Sequence, residues 1–153
     1  MKRYLAFLLL AGVLLLPLSS LQAGEMRGHG MMKAAAPAAD YPPMPGPGKK
    51  VPIGEGYYLI YGFDKALKMG TVIMSVEVFT AEGKKDTSLE LKVDADMPSM
   101  RGAHGTGDRP FQVSKKGDYL LPVHIMMPGD WELKLTVLKA GKVIFRGRYN
   151  FNV

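Results

Sequence analysis

Apolar and polar residues alternate along most of the chain after residue 56, which is the pattern of half-buried β-strands. The clearest runs surround Leu91, Leu121 and Leu133, where every second residue is apolar. Turn-forming segments rich in Gly, Lys and Asp separate these runs, and no window shows an apolar stripe with the period of a helix. The pattern predicts seven strands, over residues 57–63, 71–79, 89–95, 111–113, 119–125, 131–137 and 143–153.

Seven short strands at this spacing are typical of an all-β, immunoglobulin-like antiparallel β-sandwich. The two sheets would enclose a core of large apolar side chains, with Trp131 as an anchor. Asp94 and Asp96 alternate with these residues and are expected on a solvated edge. The predicted core comprises Val72, Val76, Val78, Leu91, Val93, Tyr119, Leu121, Val123, Trp131, Leu133, Leu135 and Phe145.

The first 23 residues have the features of a secretory signal peptide. Lys2 and Arg3 precede an apolar run over residues 4–18, and Ala23 supplies a small residue at the expected cleavage point. The run is shorter than the roughly 20 residues that span a bilayer, although an uncleaved N-terminal membrane anchor is the alternative. We therefore expect a periplasmic or otherwise exported protein.

Residues 24–54 are rich in Pro and Gly, which disfavour regular helices and paired strands, so they predict a flexible leader. The folded domain is expected to occupy residues 55–153. The leader also carries Met26, His29, Met31, Met32 and Met44, which predict either a second, looser metal site or an ordinary disordered segment.

Composition excludes several classes of chemistry. The 153 residues include no Cys but 11 Met, so disulfides, thiolate zinc sites, iron–sulfur clusters and cysteine nucleophiles are ruled out. The net charge of +6 arises from lysines scattered beside turns, which favours solvated turns over a nucleic-acid surface. No acid, base and nucleophile converge in the sequence, so we expect a protein that is not an enzyme.

Two segments concentrate soft metal ligands. Met97, Met100 and His104 lie in a Gly-rich loop, and His124 and Met126 stand two residues apart at the end of a predicted strand, where they point to the same face. Thioether sulfur suits Cu(I), and imidazole binds either oxidation state of copper. The loop can fold back over the strand, which predicts a five-residue copper site. Alternatively, the methionines fill gaps in the core and His124 is a surface residue.

The same segments carry a resemblance to a known family. Met97-Pro98-Ser99-Met100 with His104-Gly105, followed by Gly117-Asp118-Tyr119 and by 127–133 (Met-Pro-Gly-Asp-Trp-Glu-Leu), resembles the YtkA-like domain over residues 55–153. That family includes FixH-like proteins and is similar in architecture to the small copper-binding sandwiches of the CopC type. The resemblance implies an exported sandwich linked to copper handling or oxidase assembly.

Two functions follow as expectations. The first is a non-enzymatic metal-binding domain, with Cu(I) favoured, whose partners are the metal ion and an envelope protein or metal transporter. The second is a metal-independent interaction module that binds another envelope protein through a strand edge or the Met-rich loop.

Overall fold

A computed structural model describes residues 40–153, which form two antiparallel sheets packed face to face. This confirms the predicted all-β sandwich. The five-stranded sheet has the order β1-β2-β3-β7-β6 and the four-stranded sheet the order β5-β4-β8-β9. The strands are β1 (Lys50–Gly54), β2 (Tyr57–Phe63), β3 (Gly70–Thr80), β4 (Glu90–Asp96), β5 (Arg109–Pro110), β6 (Gln112–Val113), β7 (Tyr119–Ile125), β8 (Asp130–Lys139) and β9 (Lys142–Asn152).

The core lies between the sheets and contains the residues that the alternation predicts. Of the predicted set, Phe145 is the exception, because it is only partly buried on the edge strand β9. Trp131 is buried, and its indole Nε1 donates a hydrogen bond to the Met127 carbonyl at 3.0 Å. Indole N–H groups usually find such a partner when they are buried, so Trp131 anchors the start of β8 as predicted.

The fold begins earlier than the predicted boundary at residue 55. Strand β1 lies inside the predicted leader and pairs with β2. Before it, Pro43 bridges to Arg148 on β9, and the side chains of Tyr41 and Met44 are buried. Pro52 is tolerated because β1 is an edge strand of its sheet. Residues 41–54 therefore belong to the folded domain, and the prediction of a flexible leader was wrong for them.

Several charged residues on the outer face of the four-stranded sheet are buried. Asp94 and Asp96 on β4 are buried, as are Glu132 and Lys134 on β8. The expectation of a solvated edge at Asp94 and Asp96 was therefore wrong. The segment after β4 folds back over this face, and ion pairs with basic side chains offset part of the desolvation.

The predicted signal peptide and residues 24–39 of the predicted leader lie outside the described residues. Within residues 40–153, no helix has the length and hydrophobicity that crossing a bilayer requires.

Candidate metal-binding site

His124 and Met126 occupy the outer side of the five-stranded sheet at the end of β7. Along this strand Tyr119, Leu121, Val123 and Ile125 face the core, so the residues between them face outward. Both His124 and Met126 are exposed. His124 and Met126 therefore have the outward, exposed positions that the alternation predicts.

Thr71 on β3 fixes the orientation of the His124 ring. The two residues are directly paired across the β3–β7 ladder, and the Thr71 hydroxyl lies 2.9 Å from His124 Nδ1. When Nδ1 carries the proton and donates it to Thr71 Oγ1, Nε2 keeps its lone pair for a metal ion. A hydrogen bond on the second ring nitrogen is the arrangement that metal-ligating histidines usually have.

Met97 occupies a different environment from His124. It follows β4 and packs into the core, where its terminal methyl approaches Gly129 in the turn between β7 and β8. Met97 precedes a short 3-10 helix (Pro98–Met100) that carries the exposed Met100. The Met97 side chain is therefore buried in the core, whereas the Met100 side chain is accessible to solvent.

Asp130 holds the short helix against the start of β8. The Ser99 backbone N–H donates to Asp130 Oδ2 at 3.0 Å, and the Ser99 hydroxyl donates to Oδ1 of the same carboxylate. These hydrogen bonds lower the pKa of Asp130. They also fix Met100 at the end of the sandwich where β7 terminates.

The loop that carries His104 runs along β4 on the side away from β8. Thr106 exchanges hydrogen bonds with the backbone of Ala95, and the Gly102 N–H lies 3.4 Å from an Asp96 carboxylate oxygen. Phe111 then carries the chain from β5 in one sheet to β6 in the other. His104 is partly exposed in this loop.

A shallow groove of about 330 Å³ joins the end of this loop to β7. Because the chain crosses between sheets at Phe111, β5 lies beside the outer edge of β7. Arg109 and Pro110 line one side of the groove, and Leu120, Pro122 and His124 line the other. Only the end of the loop reaches this groove; its earlier part, around Gly102 and Gly105, lies over the outer face of the four-stranded sheet, opposite the face that carries His124.

The five predicted ligands thus have unequal access to a metal ion. Met100, His124 and Met126 are exposed, His104 is partly exposed, and Met97 is packed in the core. Among residues 40–153, no three His, Cys, Asp or Glu side chains are grouped to hold a metal ion. The full five-residue site remains a prediction. Its accessible donors, two thioethers and an oriented imidazole, have the chemistry that Cu(I) prefers.

Met44 was predicted as one of the leader donors, but it is buried in the core beside Gly147. Neither Met69 nor Thr71 is among the site residues predicted from the sequence. The strand register is what reveals both residues. Gly70 pairs with Ile125 and Thr71 with His124, so these residues adjoin the end of β7.

A second cluster of charged side chains lies beneath the loop that carries His104. Lys134 Nζ is 3.7 Å from both an Asp94 and a Glu132 oxygen, and Arg101 reaches Glu132 at 3.1 Å. One oxygen each of Asp94 and Glu132, together with the Lys134 amine, has no hydrogen-bond partner among the described residues. Burial raises the pKa of Asp94, and the Lys134 charge only partly opposes this.

The fold defines the chain as a small β-sandwich protein. No protein-family model matches it, and neither does any curated protein. One solved structure similar to it is that of FetP from uropathogenic E. coli strain F11, which was produced recombinantly in the periplasm of E. coli. The TM-score is 0.50 at 12% identity, covering 70% of this chain and 93% of FetP. At this identity the likeness shows the fold. The resemblance to the YtkA-like family stays a prediction.

Proposed function

We propose that this chain is an exported, non-enzymatic β-sandwich that binds a soft metal ion, with Cu(I) favoured, in envelope metal handling or oxidase assembly. The observation that carries the proposal is the His124 imidazole, oriented by Thr71 and accompanied by an exposed Met126. Met100 and His104, in the segment after β4, are the further donors predicted from the sequence. The YtkA-like resemblance implies the same class of function.

A titration with Cu(I) against a competing chromophoric chelator, under reducing conditions, tests this function. Residues 24–153 are expected to compete for Cu(I), and His124→Ala with Met126→Leu should abolish the competition because both donors are lost. Val143→Leu is the matched control, since Val143 is an exposed apolar residue at the other end of the sandwich. Unchanged affinity in the double variant would contradict the site.

Thr71 provides a sharper test of the His124 geometry. Losing an outer-shell partner of a metal-bound histidine typically costs about 10–100-fold in affinity, and we expect a loss in this range for Thr71→Val. Thr71→Ser retains the hydroxyl and should retain the affinity. Equal affinities for the Val and Ser variants would show that the hydrogen bond to Nδ1 has no part in metal binding.

A second candidate function, the metal-independent interaction module, is favoured by the edge of β7. Strand β6 pairs only with Tyr119 and Leu120, so the remainder of that side of β7 has no partner strand among the described residues. An extended peptide can add to such an edge. A partner from an envelope extract that stays bound with a Cu(I) chelator present, and also to the His124→Ala variant, would favour this function over metal binding.

A further inference from the structure

The end of the β3–β7 ladder brings another methionine to His124. Thr71 pairs with His124, and Gly70 pairs with Ile125 in the next position. Met69 directly precedes β3 and Met126 directly follows β7, so they flank the terminal pair along the chain. Neighbouring strands lie about 5 Å apart, so the two segments that carry these methionines leave the ladder from adjacent positions. Gly70 has a φ of +110°, a conformation that side chains with a Cβ rarely adopt, and the chain changes direction there.

Both methionines are unusually exposed. Met69 is 57% exposed and Met126 is 59% exposed, more than the other large apolar side chains in residues 40–153. The remaining methionines of the strands and turns behave differently, since Met74 and Met97 are buried. Core packing therefore does not explain why methionine occurs at positions 69 and 126. Both positions lie within two residues of the Thr71–His124 pair, in which the imidazole is already oriented.

We propose that Met69, His124 and Met126 form a three-donor site for a soft monovalent cation, with Met69 as a thioether ligand additional to those predicted from the sequence. This inference rests on the proposed function and defines its centre. Two thioethers and one neutral imidazole are soft donors without charge, a set that suits Cu(I) better than hard divalent ions. The three rotatable bonds of each Met side chain let both sulfurs turn toward His124 Nε2.

The exposed position of the site would also allow a bound metal ion to be transferred to another protein. All three donors stand at the surface, at the end of one ladder, and none is part of the core cluster. Binding therefore needs no opening of the sandwich. The three donors lie on or directly beside the adjoining ends of β3 and β7, and none of them belongs to the loop over residues 97–108.

The test uses residues 24–153, with Cu(I) and Ag(I) as the probes. Met69→Leu is expected to lower the affinity at least as much as the roughly tenfold loss that follows removal of an outer-shell partner. Met126→Leu should have a similar effect. Val143→Leu is the control, because Val143 is also an exposed apolar residue but lies at the opposite end of the sandwich. With labelled methionine methyl groups, the first equivalent of Ag(I) should shift Met69 and Met126, and leave Met74 and Met97 in place.

The outcomes separate the two proposals. If the unmodified chain binds Cu(I) and His124→Ala weakens the binding, but Met69→Leu matches the Val143→Leu control, the three-donor site is overturned and the proposed function stands. If the unmodified chain competes for neither Cu(I) nor Ag(I), both are overturned. All these variants are at surface positions, and a thermal unfolding curve equal to that of the unmodified chain confirms that a lost affinity reports on the site.

Discussion

Asp94 carries a carboxylate on a face of the sheet that the sequence pattern assigns to solvent. In the fold it is shielded, with one oxygen 3.7 Å from Lys134 Nζ and the other without a hydrogen-bond partner among the described residues. Burial raises its pKa, since the charged form loses solvation that Lys134 does not fully replace. The folded state therefore holds the Asp94 proton more tightly than the unfolded chain.

This gives a prediction with a defined sign. The contribution of Asp94 to the free energy of unfolding is complete below its unfolded pKa and is lost as the pH rises through the raised folded value. Asp94→Asn removes that titration. Relative to the unmodified chain, we expect the Asn variant to gain stability as the pH is raised from acidic to neutral. Urea denaturation at a series of pH values measures it.

Asp130→Asn is the matched control because its shift has the opposite sign. The hydrogen bonds from Ser99 lower the pKa of Asp130, so its contribution is present above the unfolded pKa and is lost as the pH falls. The Asp130→Asn variant should therefore lose stability, relative to the unmodified chain, as the pH is raised. Parallel pH dependences for the two variants would contradict the assigned environments.

The N-terminal segment before β1 is bound to β9 by a short parallel contact. The Met44 N–H donates to the Arg148 carbonyl, and the Arg148 N–H donates to the Pro42 carbonyl. Met44 then enters the core directly over Gly147, while the Tyr41 hydroxyl hydrogen-bonds with Thr136 at 3.0 Å. The segment covers the edge strand β9, a position that is otherwise open to pairing with other chains.

Gly147→Ala tests this element. A Cβ at residue 147 would stand 2.6 Å from Met44 Cγ and 2.7 Å from the Phe145 ring, so the segment must shift to admit it. Overpacking of this kind typically costs about 1–3 kcal/mol, and we expect a loss of that size in the free energy of unfolding. Gly46→Ala is the control, because its Cβ would meet nothing within 4 Å. Equal stability of the two variants would show that Met44 does not pack on Gly147.

The elements show which parts of the fold the sequence reveals. Alternation predicts strands such as β4 and β8 because one of their faces meets the core. It misses β1 because Pro and Gly obscure a short edge strand, and it misses β5 because only two residues pair. The buried state of Glu132 and Lys134 depends on a distant segment folding over them, which no local pattern contains.

The sequence likewise predicts some features of the candidate site and misses others. The i, i+2 spacing predicts that His124 and Met126 share a face, since that follows from the strand period alone. That the segment carrying Met69 meets the end of β7 follows from the register between β3 and β7, which the sequence of either strand does not state. Met97 looks like a ligand in the sequence, yet its place after β4 directs it into the core.

At the scale of the whole domain, the two ends of the sandwich differ in their methionines. The connections from β3 to β4 and from β6 to β7 lie at one end and contain lysines but no methionine. The opposite end holds the start of β3, the end of β7 and the segment after β4, which together carry the exposed methionines. The second end is therefore where a soft cation and a partner protein would meet the chain.

This division predicts that residues 40–153 are sufficient for the first metal equivalent. Met69, His124 and Met126 all belong to the folded domain, whereas Met26, His29, Met31 and Met32 precede it. Chains beginning at residue 24 and at residue 40 should bind the first Cu(I) with the same affinity in the chelator competition. Any contribution of the earlier donors should appear only in later, weaker equivalents. A loss of more than about tenfold in the first affinity upon removal of residues 24–39 would instead place a ligand of the main site before the domain, because only a lost donor or an outer-shell partner has an effect of that size.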